Sequence, residues 1–150
     1  MFIRRVFTVI ASGLYLGYIP FAPATFGSLW ALPIWYFFRK DTTGYIIITF
    51  GIFVVGVLIS SYLEKSEERD PRYIVIDEIA GLLVALGPMV KFDWRLALTA
   101  FLLFRFFDII KPFPIRQAER MGRGIGIMAD DVLAGCYAAL LTAVVDRFLF

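Results

Sequence analysis

The stretch TTGYIIITFGIFVVGVLISSYL, residues 42–63, decides the fold class of this chain. It holds 22 consecutive residues without a charge, and a helix of that length measures roughly 30 Å at about 1.5 Å per residue, which matches the apolar thickness of a bilayer. Hydrophobic residues make up 60% of the 150-residue chain, and its mean hydropathy of +0.78 exceeds that of an ordinary soluble domain. The sequence therefore predicts a membrane-spanning helix.

The other apolar stretches predict an all-α, polytopic integral membrane helical bundle that forms a single domain over residues 1–150. Residues 6–38 carry no charge, but three prolines exclude one undisturbed helix, so a Pro-broken N-terminal helical hairpin is expected there. After the spanning helix, the sequence predicts a charged surface loop at 64–72, a helical hairpin made of 79–90 and 96–104, a loop at 111–129 and a last helix at 132–150.

Net charge and residue types exclude several function classes. A net charge of +2, with no basic run interleaved with aromatic residues, argues against nucleic acid as a partner. The chain contains no histidine, which excludes a histidine phospho-intermediate, a Ser-His-Asp relay and imidazole-rich zinc sites. Oxygen ligands remain, and they favour hard cations.

Five carboxylates stand at the margins of the apolar segments, where an uncompensated charge costs several kcal/mol. Asp77 and Glu78 precede the first hairpin helix, Asp108 follows the second, and Asp130 and Asp131 precede the last helix. The hairpin stretches are short for a span, so both helices are expected to extend through their charged ends. Because helix direction alternates, these three ends should share one side of the membrane. We therefore expect all five carboxylates to be metal ligands and catalytic residues, with Mg²⁺ as the cofactor and Mn²⁺ as a substitute.

Four segments carry a family resemblance: VIDEIAG at 75–81, FRFFDIIKPFPI at 104–115, GIGIMADDVLAG at 124–135 and SGLYLGYIPFAPATFGSLWALP at 12–33. Together they resemble the bacterial phosphatidylglycerophosphatase A family. The chain departs from that family's N-terminal motif at Ala24, where glycine is usual between proline and threonine. The resemblance implies a membrane-bound, Mg²⁺-dependent phosphatase that hydrolyses the terminal phosphomonoester of phosphatidylglycerophosphate to phosphatidylglycerol and phosphate.

The resemblance adds candidates that would contact the phosphorylated substrate. Lys111 is a candidate catalytic residue, because its ammonium could bind phosphate as a point charge, whereas arginine suits bidentate contacts. Hydroxyl groups and glycine backbone could also approach phosphate closely. The candidate substrate-binding residues are Arg105, Arg116, Thr25, Ser28 and Gly124.

Simpler structural roles remain open for several of these residues. Either member of the Asp-Asp pair could cap the last helix, and Ser28 could cap a helix near the N-terminus. Arg105 and Asp108 could form an ion pair within one helix, worth about 0.2–0.5 kcal/mol in water. Lys111 and Arg116 could be cations that attract anionic headgroups at about 1 kcal/mol each.

Two other functions compete with lipid phosphatase activity. A CDP-alcohol phosphatidyltransferase also uses several aspartates and Mg²⁺ in a membrane, but its Asp-Gly-Ala-Arg-like run is missing here, and adjacent DE and DD pairs stand instead. A small ion carrier or membrane scaffold would also hold acidic residues among apolar helices.

The distribution of cations predicts an orientation. Eight of the 15 Lys and Arg residues fall on the proposed active side, a small excess that favours a cytoplasmic active face. The expected location is the bacterial inner membrane, and the expected partners are the lipid bilayer and the phospholipid substrate. The sequence makes no prediction of an oligomeric state.

Overall fold

The computed structural model describes residues 1–66, 72–89 and 91–149. Within these ranges the regular structure is helical and no strand occurs, which confirms the predicted all-α class. The helices are α1 (Phe2–Ala11), a 3-10 turn (Leu16–Tyr18), α2 (Pro23–Ser28), α3 (Ala31–Phe38), α4 (Thr42–Ser66), α5 (Ile76–Leu86), α6 (Trp94–Ile110), α7 (Ile115–Glu119) and α8 (Arg123–Leu149).

Two helices are long and apolar enough to cross a membrane. They are α4, over Thr42–Glu64, and α8, over Arg123–Phe148. Large apolar side chains on their outer faces are open to the surroundings, and those of Ile47, Phe50 and Leu140 are each about two-thirds exposed. Surfaces of this kind are unfavourable in water and typical of contact with lipid. The number of spans beyond these two helices stays a prediction.

Prolines divide the N-terminal region into short helices. Pro23 occupies the first turn of α2, where a fixed φ favours helix formation and a missing N–H costs nothing, while Pro33 lies near the start of α3. The α3 helix is tied to the core because the indole of Trp35 donates a hydrogen bond to the carbonyl oxygen of Met89 at 3.0 Å. The predicted break is present, and whether this region spans the membrane as a hairpin stays a prediction.

The central helix is α5, which packs against α2, α3, α4, α6 and α8. It begins at Ile76, so the first turn contains Asp77 and Glu78. The α6 helix begins after Asp93, whose carboxylate accepts a hydrogen bond from the backbone N–H of Arg95 at 2.8 Å. Both helices therefore extend through their charged ends, as expected from the short length of their uncharged stretches.

The last helix differs from the prediction. We expected a loop at 111–129 and a helix that begins after Asp131, but α8 begins at Arg123 and the short α7 lies within the supposed loop. Asp130 and Asp131 consequently lie about two turns inside α8 at about 3.6 residues per turn, and the suggestion that either one caps this helix is wrong. Glycine usually ends helices, but Gly124 is retained inside α8 because it packs directly against the α4 backbone.

The predicted surface loop at 64–72 is also partly wrong. The α4 helix continues to Ser66, so Glu64 is helical. Residues 67–71, the remainder of that prediction except Arg72, lie outside the described residues.

Candidate active site

A cavity of about 910 Å³ opens where α4 ends, α5 begins and α6 ends. Charged side chains from six parts of the chain line its wall. The acidic ones are Glu64, Asp77, Glu78, Asp108, Glu119, Asp130 and Asp131, and the basic ones are Arg72, Lys111, Arg120 and Arg123. The structure thus brings to one cavity the five carboxylates that the sequence analysis placed on a common side, together with Lys111.

Close packing between α5 and α8 sets two of the acidic pairs opposite each other. A Cβ atom on Gly135 of α8 would overlap the carbonyl oxygen of Gly81 of α5, and a Cβ atom on Gly81 would lie 2.7 Å from the carbonyl oxygen of Asp131. Only glycine permits backbones to approach this closely. The two glycines therefore determine how near the Asp77–Glu78 turn stands to the Asp130–Asp131 turn.

Arg105 links the acidic residues of α5 to those of α6. Its guanidinium forms an ion pair and hydrogen bond with Glu78 and lies 3.1 Å from an oxygen of Asp108. These side chains are mostly buried, with exposed fractions of 12% for Glu78 and 14% for Asp108. Removing one member would leave a buried charge without compensation, which makes this linkage more consequential than a surface ion pair. The ion pair between Arg105 and Asp108 within α6, which the sequence left open, is therefore present. Arg105 also contacts Glu78, so the pair is part of a bridge between α6 and α5.

Lys111 forms a second bridge, between α8 and α7. Its Nζ donates hydrogen bonds to Asp130 Oδ2 at 2.7 Å and to Glu119 Oε1 at 2.8 Å. Burial by itself would lower the pKa of the Lys111 ammonium, but the two carboxylate partners outweigh burial and raise its pKa above the ordinary value. The backbone of Lys111 has a left-handed φ of 48° at the end of α6, a conformation that costs a non-glycine residue about 1 kcal/mol or more. The lysine therefore stays charged while it is held over the cavity.

Asp131 is the most deeply buried acidic residue of the cavity, with 3% of its surface exposed. Its Oδ2 atom has no hydrogen-bond partner within residues 1–66, 72–89 and 91–149, although a buried polar atom normally has one. The neighbouring Asp130 is occupied on both oxygens, since Oδ2 binds Lys111 and Oδ1 accepts from the Asp131 backbone N–H at 2.9 Å. Asp131 consequently presents to the cavity an acceptor that has no donor among the described residues.

The cavity wall fits a hard divalent cation in its donor chemistry. Carboxylate oxygens are the ligands that Mg²⁺ and Mn²⁺ prefer, and Asp131 Oδ2 is an unsatisfied one. In the part of the chain that the structure describes, no three acidic side chains converge closely enough to form a ready metal site. Arg105 and Lys111 contact the carboxylates instead, so a cation would have to displace or share these contacts. The metal assignment of the five acidic residues stays a prediction.

The predicted substrate contacts do not form the lining of this cavity. Ser28 is fully buried and donates to the Thr25 carbonyl oxygen at 2.9 Å, so its hydroxyl is already used. Gly124 is buried against α4, where its N–H donates to Ser61 Oγ at 3.2 Å. Arg105 lies behind the carboxylates that it bridges, and Arg116 is exposed on α7. The substrate roles of all five residues remain predictions. Ser28, Gly124 and Arg105 each make a structural contact.

Several residues of the wall were missed from the sequence. Glu64, Arg72, Glu119, Arg120 and Arg123 fell in stretches that were predicted to be loops, where a charged residue normally faces solvent. One signal could have found Glu64, because it directly follows the uncharged run at helical spacing. The sequence places the three arginines on the proposed active side, but no local pattern indicates that they line a cavity.

The family model for phosphatidylglycerophosphatase A matches residues 9–146, nearly the whole chain. The chain belongs to the phosphatidylglycerophosphatase A family. Membership in a family of phosphatases confirms both the resemblance and the prediction of an enzyme. The matched residues include all four segments on which the resemblance was based, and they include every acidic residue of the cavity.

Curated relatives agree with the family model. The chain is 36% identical to phosphatidylglycerophosphatase A of Haemophilus influenzae, over 94% of this chain and 89% of the relative. It is 34% identical to phosphatidylglycerophosphatase A of Escherichia coli, over 87% of this chain and 78% of the relative. It is also 37% identical, over 91% of both chains, to a Bacteroides thetaiotaomicron protein described as a candidate phosphatidylinositol-3-phosphatase. No solved structure matches the chain.

Proposed function

We propose that this phosphatidylglycerophosphatase A family member is a Mg²⁺-dependent lipid phosphatase of phospholipid biosynthesis. Its reaction hydrolyses the terminal phosphomonoester of phosphatidylglycerophosphate and yields phosphatidylglycerol and inorganic phosphate. The observation that carries this proposal is the burial of Asp131 in the cavity, with an oxygen that lacks a donor among the described residues. Family membership supports the reaction class, and it favours hydrolysis over a phosphatidyltransferase or an ion carrier.

The proposed chemistry requires a new bond from a water oxygen to phosphorus. The bond from phosphorus to the terminal glycerol oxygen breaks, that oxygen receives a proton, and phosphate leaves. When bound, Mg²⁺ would neutralise charge on the phosphoryl oxygens and activate the water. We assign Asp77, Asp108 and Asp131 as the residues that would hold it. Glu78 and Asp130 stand beside them, and we assign one of these two carboxylates, still bridged to Arg105 or Lys111, as the acceptor of the proton that water loses.

Lys111 has a separate role in this proposal. Its ammonium lies on the cavity wall and is shared between Asp130 and Glu119. Phosphate carries more negative charge than a carboxylate and is a stronger acceptor, so Lys111 can exchange the exposed Glu119 for a phosphoryl oxygen while it keeps Asp130 in place. In this way it would offset the negative charge on the oxygens of the phosphoryl group that is transferred to water.

A purified-protein assay tests the function directly. Protein in detergent, supplied with phosphatidylglycerophosphate and Mg²⁺, should release inorganic phosphate without an added alcohol acceptor. EDTA should stop the release, and added Mg²⁺ or Mn²⁺ should restore it. A folded sample that releases no phosphate would contradict the proposal, and release that depends on an alcohol acceptor would favour the transferase.

A second substrate deserves a direct comparison because of the Bacteroides thetaiotaomicron relative. Phosphatidylinositol 3-phosphate, like phosphatidylglycerophosphate, carries a phosphomonoester separated from a phosphodiester by three ring or chain carbons. The two lipids therefore present the same pair of anionic groups to a cavity, and they differ in the bulk of the polyol. The ratio of kcat/KM for the two lipids decides between them, and we expect it to favour the glycerol headgroup.

We further propose that the protein is a multi-pass inner-membrane protein whose cavity faces the cytoplasm. Replacement of Cys136 by serine removes the native thiol, after which single cysteines can be placed at Gln117 beside the cavity and at Lys40 before α4. In intact bacterial spheroplasts, an impermeant maleimide should label Lys40→Cys and leave Gln117→Cys unlabelled. The opposite pattern would place the cavity outside the cytoplasm.

A further inference from the structure

Three arginines on the cavity wall have no part in the bridges that hold the acidic residues. Arg72 precedes α5, Arg120 follows α7 and Arg123 begins α8. All three are exposed, unlike Arg105 and Lys111, whose side chains are about one-fifth exposed. Across residues 1–66, 72–89 and 91–149, none of the three forms an ion pair with a carboxylate. Their charges are therefore available to a ligand that enters the cavity.

Two of these arginines, Arg120 and Arg123, lie at the junction of α7 and α8. A Cβ atom on Gly126 of α8 would lie 2.7 Å from the carbonyl oxygen of Glu119, so α7 and α8 pack with almost no separation. Arg120 and Arg123 stand on the short turn between those helices. Within that turn Gly122 has a φ of 70°, and Arg123 itself has a φ of 52°, a left-handed conformation that residues with side chains rarely adopt. The backbone of the turn is thus tightly constrained, which fixes the points from which the two side chains extend.

The cavity consequently has two electrostatic zones. The inner zone consists of buried carboxylates that are bridged by Arg105 and Lys111. The outer zone holds Glu119, whose carboxylate is bound by Lys111, and three arginines, which we call the arginine rim: Arg72, Arg120 and Arg123. An anion that binds only in the inner zone would leave the rim unused. A lipid headgroup that carries a phosphomonoester and a phosphodiester, joined by a three-carbon unit, offers one anionic group for each zone.

We propose that the arginine rim is a second anion subsite, which binds the phosphodiester that joins the headgroup to the diacylglycerol. This inference rests on the proposed function, since it assumes that the phosphomonoester enters the inner zone. Guanidinium groups suit the two non-bridging oxygens of a phosphodiester, to which they can donate paired hydrogen bonds. The rim would thereby favour two-phosphate headgroups over phosphatidic acid, which carries a phosphomonoester alone.

Binding of the reaction product provides the decisive test. Short-chain phosphatidylglycerol carries the phosphodiester without the phosphomonoester, and inorganic phosphate is the complementary probe. Each would be titrated calorimetrically into purified wild-type protein and into the Arg72→Gln, Arg120→Gln and doubly substituted variants. We expect the dissociation constant for phosphatidylglycerol to rise about tenfold per arginine, as is typical for loss of a charge-assisted hydrogen bond, while the dissociation constant for inorganic phosphate stays unchanged.

Arg5→Gln is the matched control. Arg5 is an exposed cation on α1, whose Phe7 packs edge-to-face against Tyr62 near the end of α4, and it does not line the cavity. Its substitution removes the same charge from the same end of the molecule. If the Arg5 variant weakens phosphatidylglycerol binding as much as the rim variants, or if the rim variants bind it as wild type does, the subsite is refuted.

The failure of this inference can be told apart from failure of the proposed function. Wild-type protein that releases phosphate from phosphatidylglycerophosphate, with rim variants of unchanged KM and unchanged phosphatidylglycerol binding, would refute the rim and leave the phosphatase intact. Wild-type protein that binds phosphatidylglycerol through the rim but releases no phosphate would refute the phosphatase and retain the subsite. Circular dichroism and gel filtration of each variant in detergent verify that it is folded.

Discussion

The same three helices, α4, α5 and α8, form two concave regions of opposite character. At the end of α4 and the start of α5 lies the charged cavity of about 910 Å³. Toward the start of α4 and the end of α5 lies an apolar groove of about 630 Å³, lined by Tyr45, Phe50, Phe53, Val84 and Ala139 among others. The difference shows that the charged residues gather at one end of the bundle, where Arg105 of α6 and Lys111 at the end of α6 contact the carboxylates of α5, α6 and α8. In the apolar groove the helices are held mainly by apolar packing, together with the hydrogen bond from the Tyr45 hydroxyl to the Leu83 carbonyl oxygen.

The largest effect should come from the inner zone of the cavity. We expect Asp131→Asn to lower kcat for phosphatidylglycerophosphate by about a thousandfold, as is common when a charged group at a reaction centre is removed. The change keeps the shape of the side chain and removes a buried charge, so the fold should persist. Phosphate release measures the effect, and Asp146→Asn, an exposed position on the same helix, is the control. Comparable activity in both variants would remove Asp131 from the mechanism.

The Arg105 bridge should give the next largest effect. Arg105→Lys keeps the positive charge but loses the guanidinium that contacts both Glu78 and Asp108. We expect kcat/KM to fall roughly ten- to a hundredfold, because one or both carboxylates would move. The control is Arg95→Lys on the same helix, where the guanidinium lies over the Trp94 ring. Equal kinetics for the two variants would show that the bridge does not position the acidic residues.

The close contact between α5 and α8 lies between the two regions. Disrupting it should mainly lower the free energy of unfolding. Gly135→Ala introduces a Cβ atom that would overlap the Gly81 carbonyl oxygen, and we expect a loss of about 1–3 kcal/mol. Phosphate release should fall as well, since the acidic pairs would separate. Gly51→Ala on α4 is the matched control, because no atom lies within 4 Å of its added Cβ.

The melting temperature in detergent compares these two glycine variants. Gly51→Ala should be neutral or more stable by roughly 0.5–1 kcal/mol, since alanine favours a helix interior more than glycine does. A Gly135→Ala protein as stable and active as Gly51→Ala would contradict the role assigned to the close helix contact.

The smallest effect should come from the apolar groove. Tyr45 is buried there, and its hydroxyl donates a hydrogen bond to the carbonyl oxygen of Leu83. Tyr45→Phe should lower stability by about 1 kcal/mol and leave kcat unchanged, whereas Tyr36→Phe, at a half-exposed position, should change neither. A large loss of activity in Tyr45→Phe would show that the groove and the cavity are not independent.

Much of the fold and the acidic part of the site follow from local sequence patterns. The uncharged run at 42–63 predicts α4, and the order of apolar stretches predicts that the acidic residues at 77–78, 108 and 130–131 share one end. Both inferences depend on run length and on alternation of helix direction, which are properties of the chain alone. The resemblance of the same segments to phosphatidylglycerophosphatase A is likewise a property of the chain.

Only the tertiary structure decided how those carboxylates are held and what surrounds them. It extended α8 back to Arg123, gave Arg105 a bridging position, and brought Glu64 and the arginine rim to the cavity. Each of these features depends on contacts between distant segments, such as Gly124 against α4 and Gly135 against Gly81. Glycine is less favourable than alanine in a helix by about 1 kcal/mol. At these positions glycine is nevertheless required, because the neighbouring helix backbone leaves no room for a Cβ atom, and no local sequence pattern contains that information.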